Sequence, residues 1–174
     1  MQKTLVLAVF LAFLLTPWLN SARAQAEPES KPSEAISSAV PDHFDLEKTP
    51  IPVLRVNSAV LRTGKGAQVV VALLDTTKSS ARIHRKYSGL IIAQGKVSVC
   101  GISLDAGGYG FGLAPPPPGN ESARFAVYTK EGDEVGECPA KRDTITKDAG
   151  PLAASAGKGG VTRLTLFRYF VELQ

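Results

Sequence analysis

Histidine is almost missing from this chain. Only His43 and His84 occur among its 174 residues, and that scarcity excludes most proton-relay chemistry. A Ser-His-Asp arrangement needs an imidazole oriented by a carboxylate. His84 sits instead in Arg82-Ile83-His84-Arg85-Lys86, with no acid beside it. Cysteine is equally sparse, with Cys100 and Cys138 alone. These four residues do not form a His/Cys cluster at zinc spacing, and no calcium loop is present. Nucleotide motifs fail as well. Gly157-Lys158 resembles the end of a phosphate loop, but Gly159 stands where Ser or Thr is needed, and Leu152 where the first glycine should be. Gly108-Tyr109-Gly110 lacks the later glycine of the dinucleotide fingerprint, because Leu113 holds that place. The sequence therefore nominates no catalytic residue, no metal ligand and no cofactor. No nucleic-acid partner is expected.

Long apolar runs are lacking after the first few residues. Leu5 to Leu15 is apolar throughout, preceded by Lys3 and followed by Pro17. Ala22-Arg23-Ala24 then supplies the small-x-small pattern of a signal-peptidase site. The run is shorter than the roughly 20 residues a transmembrane helix needs. Residues 1–24 read as a signal peptide cleaved before Gln25, with no integral membrane segment afterwards and a periplasmic or secreted destination. No cysteine follows the run, so a lipid anchor is not indicated.

Export changes the meaning of the two cysteines. In an oxidising compartment an even pair of thiols reads as a disulfide. Closing the loop from Cys100 to Cys138 stabilises by about 4 kcal/mol in the chain-entropy model. That is a large share of the roughly 5–15 kcal/mol available to a small domain.

Charge is unevenly spread. The whole chain is +4. Residues 25–49 carry six acids against two lysines, whereas from Pro50 onward 16 basic residues face 10 acids, a net of +6. A basic body suits an anionic surface at modest strength, and the same balance serves solubility. The acidic leader is rich in Glu, Ser, Ala and Pro. It reads as a flexible linker over 25–49.

From Pro50 to Gln174 the pattern is that of a single β domain. Ile51 to Val56 reads as an edge strand, because Pro50 and Pro52 remove backbone donors. Gln68 to Leu74 is continuously apolar and β-branched, as a strand buried on both faces should be. Ala81 to Tyr87 reads as a short, basic, exposed strand, and Gly89 to Ala93 as an apolar one. Val97 to Leu104 alternates strictly, which places Cys100 on one face with Ile102 and Leu104; Gly101 suggests a bulge. A glycine-rich bend and the prolines Pro115 to Pro118 follow. Ala123 to Tyr128 and Glu134 to Cys138 read as strands around a solvated acidic hairpin, and Lys141 to Gly160 as a long loop. Val161 to Leu173 reads as one long strand, with a helix as the alternative. Eight or nine short strands separated by turn signals argue for an all-β fold, a small antiparallel sandwich or partly closed barrel.

Two surfaces stand out as binding candidates. In the strand reading, Arg82, His84 and Lys86 share one side, with Arg85 and Tyr87 on the other, and such donors suit sulfate, phosphate or carboxylate. The alternative is an edge strand protected by its charges. The second surface is Tyr109 and Phe111 beside the proline run, as a partner-recognition loop or a loop packing its own aromatics. Asn120-Glu121-Ser122 matches the N-glycosylation pattern and agrees with an exposed loop. The expectation is an exported, non-catalytic binding protein that recognises a protein partner or an anionic envelope component. The alternatives are a small hydrolase with paired carboxylates and an assembly subunit acting through strand pairing.

Overall fold

The β structure begins before Pro50. The computed structural model describes residues 39–63, 66–144, 150–156 and 161–174, and His43–Leu46 already forms a strand, β1. Phe44 and Leu46 alternate inward and are buried. The last part of the expected linker therefore belongs to the fold: two apolar residues at spacing two are enough to pin a strand against a waiting surface. The expected signal peptide over 1–24 and residues 25–38 of the expected linker lie outside the described residues.

β1 turns through Glu47 and Lys48 into β2 (Thr49–Arg62), with Leu46 opposite Thr49. Both turn residues have positive φ, 50° and 62°, the geometry that suits a two-residue hairpin. For residues with a Cβ it costs roughly 1–2 kcal/mol each. The prolines Pro50 and Pro52 fall in the stretch of β2 that pairs with β1. From Val53 onward β2 pairs with β3 (Gln68–Leu74), with a bulge between Leu54 and Ser58.

The remaining elements are α1 (Ala81–Lys86), β4 (Gly89–Ala93), β5 (Val97–Val99), β6 (Ile102–Leu104), β7 (Gly107–Ala114), β8 (Ala123–Tyr128), β9 (Glu134–Arg142), β10 (Leu152–Ala156), β11 (Thr162–Leu166) and β12 (Tyr169–Leu173). All ladders are antiparallel. The sheet order is β1-β2-β3-β4-β7-β8-β9-β12-β11-β10, an open path rather than a closed barrel. β9 is the corner. It pairs with β8 along most of its length and passes to β12 through Lys141 and Arg142. The sheet thereby folds over itself into a sandwich-like pair of layers.

β3 shows why the layers hold. Val69, Val71 and Leu73 point into the core between the layers, where they meet Phe111, Phe125, Leu164, Val171 and Leu173. Val70, Ala72 and Leu74 point the other way, into a second core beneath β1, the start of β2 and α1. Burying one Val or Leu side chain is worth about 1.5–3 kcal/mol, so both faces of one strand stabilise the fold. Its uninterrupted apolar run required this double burial.

Several elements differ from the sequence reading. Ala81–Lys86 is a helix, not a strand. Ser80 caps it, its hydroxyl accepting from the Ile83 N–H at 3.4 Å, and three basic residues occupy the last turn, where they suit the helix dipole. Ile83 and Tyr87, four apart, bury the same side. Val97 to Leu104 is a tight hairpin rather than one alternating strand. Cys100 and Gly101, at φ 43° and 88°, make its turn, so Val97, Val99 and Leu104 are the residues that enter the core. This β5–β6 hairpin is thrown from between β4 and β7, which remain paired with each other, into the other layer, where β5 pairs with β12. Part of the expected long loop, Leu152–Ala156, is β10. The C-terminal stretch is strand throughout, as preferred over helix, but it turns back at Phe167 and Arg168 into β11 and β12. No Gly or Asn announces that turn, although Phe167 has φ 57°.

β7 is also not a bend. Gly108, Gly110 and Gly112 alternate along it and give it a flat face. A Cβ at Gly110 would lie 2.7 Å from the Tyr87 ring, one at Gly108 2.9 Å from Phe44, and one at Gly112 would collide with the Lys86 carbonyl. The glycines let α1 and β1 lie directly on the sheet.

Candidate functional site

The helix places Arg82 and Lys86 four residues apart and therefore on one face. Both reach the Glu47 carboxylate, whose side chain is only 7% exposed. Arg82 donates to one oxygen, while Lys86 Nζ and the Tyr87 hydroxyl each donate to the other at 2.9 Å. Lys86 also donates to the Gly132 carbonyl at 2.6 Å and stands 4.6 Å above the Tyr128 ring. The Glu47 N–H donates to the Lys130 carbonyl at 2.7 Å. These bonds hold the strained β1–β2 turn. Burial pushes the Tyr87 hydroxyl up to about 12, so it stays a proton donor to Glu47.

The expected basic surface is thus in part engaged by the fold, although Arg82 stays 70% exposed. Arg82, Lys86 and Tyr87 converge on one buried carboxylate. His84 points elsewhere, its Nδ1 2.9 Å from the buried Thr76 hydroxyl, and Arg85 is exposed. Glu47 was missed because it lay in the assumed linker; the alternation of Phe44 and Leu46 just before it was the signal available. Tyr109 and Phe111 lie on strand β7, not in a loop. Phe111 is fully buried and stacks on Phe125 at 5.3 Å. Tyr109 packs against the same core and donates to the Asp105 carbonyl at 3.1 Å. Parity along β7 explains this: the glycines take one face, so Tyr109 and Phe111 must take the other. The proline run is followed by a turn at Gly119, φ 84°, and Asn120 is exposed, as the glycosylation pattern requires.

Several of the other acids are held in ion pairs. Arg124 on β8 binds both Glu134 and Glu137 of β9, and its bond to Glu137 holds the guanidinium above its usual range. Arg55 pairs with Asp42 and Arg163 with Asp143, each at 3.2 Å. Among the described residues no group of three or more His, Cys, Asp and Glu converges on one point. No helix there is long and apolar enough to cross a membrane.

The disulfide between Cys100 and Cys138 is formed, with Cα atoms 6.4 Å apart. Its position defines a second, less obvious feature. Along one edge β12 changes partner. Tyr169 and Phe170 pair with β9, whereas Ser98 and Gln174 exchange two hydrogen bonds at 2.8 Å and Cys100 N–H donates to the Glu172 carbonyl at 2.7 Å. The gap between β9 and β5 leaves a recess of about 260 Å³. The disulfide spans it, Phe170 lines it, and Lys141 and Glu172 stand at its sides. Phe170 is held in place by Arg163, which lies 3.5 Å over its ring and is anchored by the almost inaccessible Asp143 carboxylate. Thr165 also donates to Asp143, at 3.2 Å. Lys141 and Glu172 are both exposed and have no ion-pair partner among the described residues. Sequence reasoning found Cys100 and Cys138 but not the other three, because only tertiary pairing makes Lys141 the cross-strand neighbour of Phe170.

No protein-family model matches the chain, and no curated protein or solved structure is detectably similar to it.

Proposed function

We propose that this is an exported, non-catalytic binding protein that recognises another protein through the outer face of its second layer. The single observation that carries the reading is the recess beside the disulfide. Lys141 and Glu172, exposed and without an ion-pair partner among the described residues, line it together with an aromatic ring that Arg163 already covers. Such a ring costs little to order on binding, which is the usual advantage of a preformed contact. At about 260 Å³ the recess falls below the roughly 300–1,000 Å³ of small-molecule sites and suits a protruding side chain. Export is supported by the formed disulfide together with the N-terminal sequence pattern.

A protein partner is favoured over an anionic envelope component because Arg82 and Lys86 are spent on Glu47. The hydrolase alternative is disfavoured because Glu134 and Glu137, the two acids on β9, are both engaged by the Arg124 guanidinium rather than facing an open cleft, whereas paired catalytic carboxyls flank the bond they cleave. Exchange of the last strand is disfavoured too, since β12 is paired on both edges.

The test is site-specific photo-crosslinking in the source cells. A photoreactive residue at position 141 should give one discrete adduct. The same residue at position 85, on the helix covering the other layer, should give none. No adduct at 141, or an adduct at 85 alone, would refute the assignment.

A further inference from the structure

The connection from β7 to β8 is longer than the strand pairing needs. Ala114 lies opposite Arg124, and roughly 2–5 residues suffice to close a hairpin. The surplus here is Pro115 to Pro118. Covalent structure sets its shape. Proline holds φ at about −65°, and a residue that precedes proline is pushed into extended backbone. Pro115, Pro116 and Pro117 each precede another proline, so all three take the polyproline II form; none of the described peptide bonds is cis. Pro118 then opens a turn. Gly119 follows at φ 84°, and the Asn120 N–H donates to the Pro117 carbonyl at 3.0 Å, the type II pattern of proline then glycine.

We infer that this ridge docks into a groove of a second protein, one lined by tyrosine and tryptophan. Polyproline II repeats every three residues, so one edge of the run can rest on the domain while the others face out. Pro116 is half-buried, whereas Pro115, Pro117 and Pro118 are exposed. Their rings offer apolar carbon to an aromatic face. The polyproline II form makes no internal hydrogen bonds, so the Pro115 and Pro116 carbonyls suit an indole N–H or a phenol O–H at the groove wall. Leu113 to Asn120 contains no charged residue to desolvate. β7 and β8 pair at the base of the ridge, and the prolines have little freedom left to lose, so docking costs little ordering. A plain spacer would gain nothing from three exposed rings. This surface is separate from the recess, and the inference does not rest on the role proposed there.

The test places a photoreactive residue at the exposed position 121 of the oxidised protein, which is then irradiated in native extract and secreted fraction of the source cells. One discrete adduct is expected. An excess of acetyl-Ala-Pro-Pro-Pro-Pro-Gly-amide should suppress it, and acetyl-Ala-Ala-Ala-Ala-Ala-Gly-amide should not. The Pro115→Ala, Pro117→Ala double variant loses two exposed rings but stays extended, because both positions still precede proline. Its adduct yield should fall about tenfold or more, with circular dichroism verifying the fold. Pro116→Ala should weaken capture less, since that ring is turned toward the domain. The captured protein, once purified, should shift its tryptophan fluorescence with the proline peptide and not with the alanine peptide, which reads the aromatic groove directly. No adduct at 121, an adduct indifferent to the proline peptide or to the double variant, or partner fluorescence that ignores the peptide would overturn the inference. Crosslinking at 121 without 141 keeps the ridge and removes the recess; crosslinking at 141 without 121 does the reverse.

Discussion

Replacing Glu47 by alanine should destabilise the domain by about 2–3 kcal/mol. The wild-type carboxylate is 7% exposed and takes three donors. Removing one partner of a buried ion pair costs roughly 3–5 kcal/mol, because the other charge is left uncompensated. Two features reduce the figure here. Arg82 is 70% exposed and returns to water. Lys86 keeps the Gly132 carbonyl and the Tyr128 ring. What remains is a partly buried ammonium with fewer partners and a Tyr87 hydroxyl with none. The substitution also loses the bonds that offset the left-handed turn at Glu47 and Lys48. Urea unfolding of the oxidised protein would measure the change, with Lys86→Met and the double variant completing a cycle. The coupling between positions 47 and 86 should reach about 1 kcal/mol or more. A Glu47→Ala protein within about 0.5 kcal/mol of wild type, the range of ordinary surface changes, would show that the cluster is ornamental and refute the reasoning.

Other perturbations are equally direct. The Tyr87 hydroxyl is held up at about 12, above its ordinary 10.0. Its contribution is therefore complete below pH 10 and is lost as pH rises through 12; urea midpoints at increasing alkaline pH should fall less in Tyr87→Phe than in wild type. Gly112→Ala should cost about 3 kcal/mol or more, since the new Cβ meets the Lys86 carbonyl and backbone on both sides cannot yield. Gly119→Ala, at φ 84° in open space, should cost only about 1–2 kcal/mol of left-handed strain; thermal melts of the two variants should rank them in that order. Reducing Cys100–Cys138, which closes a separation of 38 residues, should lower stability by about 4 kcal/mol. A drop under about 1 kcal/mol in dithiothreitol would mean that the unfolded chain gains little freedom from the cut.

The sequence by itself determined the elements whose cause is local. The apolar run from Gln68 to Leu74 had to be a strand covered on both faces, and it is. The turn signals and β-branched segments pointed to an all-β antiparallel fold, sandwich or partly closed barrel, and two cysteines were enough to name the disulfide; that the sheet stays open came only with the structure. Tertiary structure decided what depends on which partner arrives. Ala81–Lys86 is helical because Ile83 and Tyr87 find a glycine-flattened sheet to cover, while its basic residues alone suited a strand equally well. The turns at Glu47-Lys48, Cys100-Gly101 and Phe167-Arg168 carry little of the usual residue signature. Their left-handed residues are tolerated because pairing and side-chain bonds on either side outweigh a cost of one or two kcal/mol. The same holds for the recess. Lys141, Phe170 and Glu172 carry no motif, and they become neighbours only because β12 exchanges one strand partner for another midway along its length.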